Sequence, residues 1–442
     1  MPNHGNQMQS LDKLNAPSVL KAWLICLSAG LFFFYQFVQL NIFDVINTPL
    51  RQSFHLSASQ ISLLSSAFLA GNVVFLLPAG ILLDRFSSRL IILYALMICI
   101  IGTLGFSVSH SFITAYVSRF LTGIGNAFCF LSCVILIGQW FPPKRQAFLM
   151  GLVITMAFMG GMVAHTPFYH LSQAFGWRIA MLINGVIGIV LWTEIFYVVE
   201  DSKNRGLSGW NTLDREQLLS NLKSSLRQVM RNSQNWYAGI YTAFLNLPIM
   251  VLCALWGASF LQVAQHVSVP TSSNIISLIY VGSIIGCPLV GWVSDKQGLR
   301  KPLMLMGSIL TLGAMFILVT GLILSESQLK ALFLVVGLVS STQVLSYPLI
   351  AESNSKQQTG TATAMASIII IAGAAVAQII FGTLMQYHAG VLKYSYSLSD
   401  YQFAIWIFPI AALFSVISVV LLRETYCKSS DSQSDSDENN KN

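Results

Sequence analysis

Runs of about twenty largely apolar residues recur along nearly all of this 442-residue chain. A helix rises about 1.5 Å per residue and the hydrocarbon core of a bilayer is about 30 Å thick, so each run is long enough to cross it once. The runs lie at 19–41, 59–83, 89–109, 113–140, 147–171, 178–199, 235–262, 273–294, 301–324, 329–350, 361–387 and 401–422. Their apolar character is continuous and lacks the ten-residue alternation of a membrane β-barrel. Only 9% of residues are charged and 55% are hydrophobic. Soluble domains carry about 25% charged residues, so most of this surface must face lipid or other helices. The fold class expected is an all-α membrane protein with twelve transmembrane helices in two pseudo-symmetric six-helix bundles.

The charges are placed unevenly. Of the 24 basic residues, only Arg51, Arg119, Arg178, Lys330 and Lys393 fall toward one side of the predicted spans. The rest fall on the side that would carry both termini. Basic loops stay in the cytoplasm, so the pattern predicts an inner-membrane protein with both termini cytoplasmic. The net charge of +7 is dispersed over short loops, which argues against nucleic acid as a partner. Polar residues 1–18 form an N-terminal tail without a cleavage site, so the first span is read as retained. All seven cysteines except Cys427 lie in apolar spans, with no CxxC pair, and read as packing residues. No metal or other cofactor is expected.

The longest polar interruption, 200–234, divides the chain into an N-terminal half (19–199) and a C-terminal half (235–422). It contains an amphipathic stretch, Leu213 to Met230, expected to lie on the membrane surface as a linker. Residues 423–442 read as a disordered cytoplasmic tail. The halves repeat each other. Gly80, Asp84, Arg85 and Arg89 follow the second span, and Gly291, Asp295, Lys296 and Arg300 follow the eighth at one offset of 211. The same offset pairs His55 with His266, Ser57 with Ser268 and Gly71 with Gly282. A duplicated six-helix unit produces such an offset. In each loop the glycine would let helix ends approach, and the acid and base would make contacts that break as the halves rock.

These loops resemble the signature of the major facilitator superfamily between helices two and three. Arg119, Gly123, Gly125 and Asn126 resemble its fourth-helix signature, and Gly176, Trp177 and Arg178 before the sixth span are also typical. The resemblance covers about residues 19–422. It implies two bundles around a central cavity lined by helices 1, 4, 7 and 10, and transport by alternating access. The fifth span lacks the Gly-Pro-rich signature of the drug-antiporter branch. Residues 56–60 and 77–85 look closer to the phagosomal nutrient transporters of intracellular bacteria and the related lysosomal dipeptide transporters.

Ionisable groups inside a membrane are costly and therefore mark candidate sites. Arg119 is a candidate for an anionic substrate group, with Asp44 as a possible ion-pair partner at similar depth. Asp44, Glu194 and His165 are candidates for proton coupling. A second set of polar side chains is expected to bind substrate: Tyr35, Gln36, Gln39, Asn126, Tyr241, Asn246, Trp256, Gln343, Tyr347 and Gln378. Each could instead tie helices together by hydrogen bonds. Pro248 and Pro348 are expected to break helices 7 and 10 and free backbone carbonyls.

The sequence therefore points to a secondary transporter of a small polar nutrient (an amino acid, short peptide or nucleoside), with proton-coupled import. Movement of a siderophore, metabolite or drug, including export, is the alternative, and a receptor without transport is a third class. The chain lacks the GxxxxGK[ST] phosphate loop of an ATP-driven pump and the HExxH or GxSxG motifs of an enzyme. The partners expected are a small-molecule substrate, protons and the lipid bilayer.

Overall fold

The computed structural model describes residues 19–141, 143–201, 224, 226–355, 358–390 and 396–427. Among them the N-terminal half forms α1 (Val19–Phe54), α2 (Ala58–Arg85), α3 (Ser88–Ser107), α4 (Phe112–Trp140), α5 (Pro143–Val163) and α6 (Thr166–Val198). The C-terminal half forms α7 (Ser233–Gln265), α8 (Val269–Gln297), α9 (Lys301–Val319), α10 (Glu326–Glu352), α11 (Thr359–Ala389) and α12 (Leu398–Leu421). The last has two parts, Leu398–Ile405 and Ile407–Leu421. A 51-residue apolar stretch, Phe148–Val198, is too long for one crossing. The turn at Ala164–His165 divides it between α5 and α6, which makes twelve spans.

Two helices are broken where prolines were expected to break them. α7 comprises Ser233–Leu245, a π-helical stretch Pro248–Trp256, and Gly257–Gln265. α10 comprises Glu326–Ser340, a 3₁₀ stretch Ser341–Leu345, and Ser346–Glu352. Proline removes a backbone donor and crowds the preceding turn, so the regular helical hydrogen-bond ladder is interrupted around it and side chains bond some of the carbonyls. The Met250 carbonyl accepts from Gln378 Nε2 at 2.6 Å, and the Gln343 carbonyl accepts from Ser346 Oγ at 2.8 Å.

The sequence repeat has a structural counterpart. His55 and His266 both adopt left-handed backbone, with φ of 55° and 54°. Each is followed by an N-capping serine, Ser57 for α2 and Ser268 for α8. Gly123 of α4 crosses α2 so closely that a Cβ would sit 2.0 Å from the Phe68 carbonyl, and Gly337 of α10 stands likewise 2.0 Å from the Ile279 carbonyl of α8. Residues 68 and 279 differ by the offset of 211. Small residues at such crossings replace the hydrophobic driving force that lipid cannot supply.

Apolar packing places the two halves relative to one another. One large buried cluster draws on both halves, joining Val38–Ile46 and Phe168–Met181 to Leu247–Phe260, Ile275–Tyr280 and Phe381. It occupies the side away from the chain ends, here called the far side. On the terminal side the packing divides. One cluster contains only N-half residues, from Ala22 to Val199, and another only C-half residues, from Val229 to Leu422. The halves are thus sealed together on the far side and parted on the terminal side.

Most of the expected linker lies outside the described residues. Its end packs on the C-half, with Val229 buried and the Met230 carbonyl accepting from Trp236 Nε1. Of the tail expected to be disordered from 423 onward, residues 428–442 lie outside the described residues. Its start is packed, with Thr425 buried and Glu424 accepting the backbone N–H groups of Arg300 and Lys301 at 3.0 and 2.8 Å. Exposed amides at the start of α9 need acceptors, and this carboxylate supplies them.

Candidate substrate site and gate

The far-side seal is built from polar contacts between the halves. Asn41, Asp44 and Asn47 recur every three residues and so share one face of α1. Asp44 accepts the backbone N–H of Ala258 at 3.0 and 3.3 Å. That amide lies where the π-helical stretch passes into the last segment of α7. A carboxylate from one half therefore holds the backbone of the other at this junction. Asn47 Nδ2 donates to the Leu255 carbonyl at 2.7 Å, and Tyr280 donates to Asn41 Oδ1 at 2.6 Å. Trp256 Nε1 donates to Ser62 Oγ at 3.1 Å, and the Ala58 N–H donates to the Tyr396 hydroxyl at 2.8 Å. The Arg51 guanidinium lies over the Tyr396 ring at 4.6 Å.

The Asp44–Arg119 ion pair considered from the sequence is not formed. Arg119 is 1% exposed and packs between the rings of Phe43 and Phe68, 4.2 and 4.7 Å from their centroids. None of its guanidinium nitrogens has a hydrogen-bond partner among the described residues. Asp44 turns instead toward Ala258 and toward His165, whose Nδ1 is 3.5 Å from Asp44 Oδ2. His165 is fully buried, but in the α5–α6 turn and not within span 5 as expected. Glu194 lies on the terminal half of α6, where its Oε1 accepts from Ser28 at 2.5 Å and its Oε2 has no hydrogen-bond partner among the described residues.

The polar candidates divide by position. Gln39 Nε2 donates to the Tyr35 hydroxyl and to Thr103, and Tyr35 donates to the Asn184 carbonyl, so this pair ties α1 to α3 and α6. Gln36 is buried, with Cys99 of α3 and Gly125 of α4 beside its amide. Tyr241 donates to Thr342 at 2.9 Å inside the C-half. Gln378 supports the π-helical stretch, Asn246 ends the first segment of α7, and Trp256 belongs to the seal. Asn126, Gln343 and Tyr347 are half-buried.

The duplicated loops lie on the terminal side. Arg300 bonds Asp295 at 2.7 Å and Glu352 at 2.9 Å. Burial works against its charge, but these carboxylates outweigh burial and hold the guanidinium above its usual basicity. Lys296 lies 5.0 Å from the Trp292 ring centroid. In the first copy Arg89 donates to the Phe196 carbonyl and its N–H to Asp201. The side chains of Asp84 and Arg85 lie outside the described residues. These bonds tie each loop to a neighbouring helix of its own half, α10 for Arg300 and α6 for Arg89. Among the described residues, a Cβ at Gly80 or Gly291 would meet nothing within 4 Å. Close approach at these two glycines is not used in this conformation.

Sequence reasoning passed over Asn41, Asn47 and Tyr280. The three-residue spacing with Asp44 was the available signal for the first two. It also passed over a run of rings. Phe33 contacts Phe130 at 5.8 Å and Phe37 at 5.1 Å, Phe37 contacts Phe158 at 5.9 Å, and Phe158 contacts Tyr280 at 6.1 Å.

A family model described as Major Facilitator Superfamily matches residues 25–377 and 258–438. The chain is 24% identical over 385 residues to the 4-hydroxybenzoate transporter PcaK of Acinetobacter baylyi, covering 78% of this chain and 82% of that one. It is 23% identical over 255 residues to the hexuronate transporter of Bacillus subtilis, covering 56% of this chain and 58% of that one, less than two thirds of that relative. Its fold is similar to that of a bacterial homologue of the human lysosomal transporter Spinster, solved in an inward-facing and unoccupied conformation. The TM-score is 0.71 at 17% identity, covering 91% of this chain and 98% of that one. The chain belongs to the Major Facilitator Superfamily and is a multi-pass membrane transporter, not an enzyme.

Proposed function

We propose that this protein imports a small polar organic nutrient across the inner membrane by alternating access, coupled to protons. The observation that carries this reading is the apolar packing, shared between the halves on the far side and divided on the terminal side. Rocking the halves about the middle would exchange which side is sealed. The excess of basic residues on the terminal side supports placing that side, with both chain ends, in the cytoplasm. The conformation is then the one that releases solute inward.

Asp44 and His165 support proton coupling. They are buried 3.5 Å apart at the seal, and Asp44 holds the two halves together through Ala258. A proton gained or lost here changes the charge on a bond that must break for the far side to open. Arg119, buried without a hydrogen-bond partner among the described residues, supports a solute bearing a carboxylate. Amino acids and short peptides meet that requirement, as do the solutes in the names of the two relatives. This keeps the narrower likeness to nutrient transporters of intracellular bacteria as part of the proposal and favours it over nucleosides.

The test is counterflow and net uptake in proteoliposomes with labelled amino acids, dipeptides, organic acids and nucleosides, with and without an inward-directed proton gradient. Saturable uptake driven by the gradient is expected. Uptake indifferent to the gradient would overturn the coupling, and efflux of a siderophore with no nutrient uptake would overturn the import reading.

A further inference from the structure

We infer that the far side carries a binding site for an anionic phospholipid, built where the α3–α4 turn meets α6, with Arg178 holding the headgroup phosphate. The inference is independent of the carrier reading above.

The site is a recess of about 270 Å³, lined by Ser107, Val108, His110, Arg178, Ile179 and Leu182. Its depth in the membrane follows from α6. Gly176 has φ of 79°, outside the helical region, so the membrane-crossing part of α6 starts at Trp177. From there to Val198 is about 33 Å at about 1.5 Å per residue, close to the hydrocarbon thickness. Arg178 is in the first turn of that part and therefore stands at the level of the far-side headgroups.

The charge on Arg178 lacks a protein counterion. Its Nη1 donates to the Ser107 and Ser109 carbonyls at 3.1 and 2.6 Å. The guanidinium carbon lies 4.3 Å from the Trp177 ring centroid and 5.5 Å from that of Phe54. All these partners are neutral, and no carboxylate among the described residues pairs with Arg178. Of the carboxylates between residues 19 and 201, Asp44 is committed to the seal, and Asp84, Glu194, Glu200 and Asp201 lie toward the terminal side. The side chain is half-buried, where a charge without an opposite charge is costly. Its Nε and Nη2 make no hydrogen bond to another described residue. They form a fork that matches two oxygens of a phosphate. His110 is exposed at the rim, and its ring has an N–H to donate in either tautomer.

Apolar stripes continue from the recess toward the middle of the bilayer. On α6, Ile179, Leu182, Val186 and Val190 are exposed at spacings of three and four. On α3, Met97, Ile101 and Val108 are exposed at spacings of four and seven. Each set therefore lies along one side of its helix. Gly185 and Gly188 bring the two helices together, since a Cβ there would stand 2.4 Å from Leu104 Cδ2 and 2.9 Å from Ile100 Cγ1. The stripes thus run side by side and form a seat for acyl chains inward of the guanidinium. A phosphate joined to two apolar chains answers both parts of the site. A zwitterionic headgroup would bring its own cation beside Arg178, so a lipid of net negative charge, such as phosphatidylglycerol, is the occupant.

The experiment places the full chain in phosphatidylcholine vesicles doped with phosphatidylglycerol that carries a photoreactive acyl chain. Cross-linked peptides are mapped by mass spectrometry. Label is expected on residues 97–110 and 179–190, displaced by unlabelled phosphatidylglycerol and not by inorganic phosphate. Arg178→Gln is expected to raise the phosphatidylglycerol fraction needed for half-maximal labelling there about tenfold, the scale of lost hydrogen bonds to a charged group. Arg178→Lys keeps the charge without the fork and should recover part of that loss. Because Arg178 also ties down the α3–α4 turn, Leu182→Trp is the second variant. It fills the recess from an exposed position, leaves the guanidinium in place, and is expected to lower the labelling too. Equal labelling of these residues in wild type, Arg178→Gln and Leu182→Trp would overturn the site, as would label confined to other parts of the chain. Photoreactive phosphatidylcholine labelling the same residues as strongly would overturn the choice of an anionic lipid. Displacement by inorganic phosphate would assign the recess to a free anion and overturn the lipid.

Discussion

Gly382 of α11 lies against the first turns of α2 on the sealed side, where the two halves touch. A Cβ there would stand 2.2 Å from Ser62 Oγ and 2.4 Å from the Ala58 carbonyl oxygen. The serine can rotate away, but the carbonyl belongs to the α2 backbone. Ordinary contact needs about 1 Å more than this, so Gly382→Ala requires the α2–α11 seam to widen by that amount. Overpacking of this kind costs about 1–3 kcal/mol. The contact exists only while the far side is sealed, so the cost falls on that state alone. The ratio of far-sealed to far-open molecules should fall roughly 5- to 150-fold. Spin labels report the change. A pair at Gln52 and Tyr387, both exposed on the far side, should gain a longer distance population. A pair at Phe148 and Met306, exposed near the terminal side, should gain a shorter one. Gly123→Ala supplies the control, because its clash lies inside one half and should lower stability without moving either pair. Unchanged far-side distances in Gly382→Ala, with unchanged transport, would refute the claim that this contact helps set the conformation.

Other expectations concern named contacts. Asp44→Asn keeps one acceptor for the Ala258 amide but cannot take up a proton, so counterflow should persist while gradient-driven uptake is lost; retained gradient dependence would remove Asp44 from coupling. Gly123→Ala and Gly337→Ala place a Cβ 2.0 Å from a facing carbonyl, and each should cost about 1–3 kcal/mol, read as a lower Tm in detergent. Arg300→Ala removes the partner of Glu352 and Asp295 and should cost roughly 1.5–3 kcal/mol, whereas a change confined to salt-sensitive surface charge would show no loss of Tm.

The span count, the duplication and the two broken helices were legible because each leaves a local mark: an apolar run, a fixed offset, a proline. The end of α5 was less so. Ala164 and His165 carry no glycine or proline between them, and the apolar character runs past them, so the expected span continued to residue 171. The gate was legible only in part. Asp44 stood out as a buried charge, but its partner is a backbone amide of another helix, and a backbone group has no sequence signature. Arg119 and Asp44 looked like a pair because depth can be read from span position, whereas direction around the helix is set by packing. Tyr35 and Gln39 read as solute contacts for the same reason, since polarity alone does not say which neighbouring helix a side chain meets. The ring run was masked by composition: 28 phenylalanines in an apolar chain give no reason to single out these.

The two halves share a plan but not its stiffness. α1 runs 36 residues as a single helix and α4 runs 29, while their counterparts α7 and α10 are each divided into three segments. A continuous helix transmits a push along its length; a π-helical or 3₁₀ stretch absorbs it by bending. When the halves work against each other, strain should therefore collect in the C-half, with the N-half serving as the rigid jaw. Amide exchange should be faster along Pro248–Trp256 than along the matching stretch of α1. A binder that splints α7 should arrest the cycle, while one gripping α1 would stiffen what is already stiff.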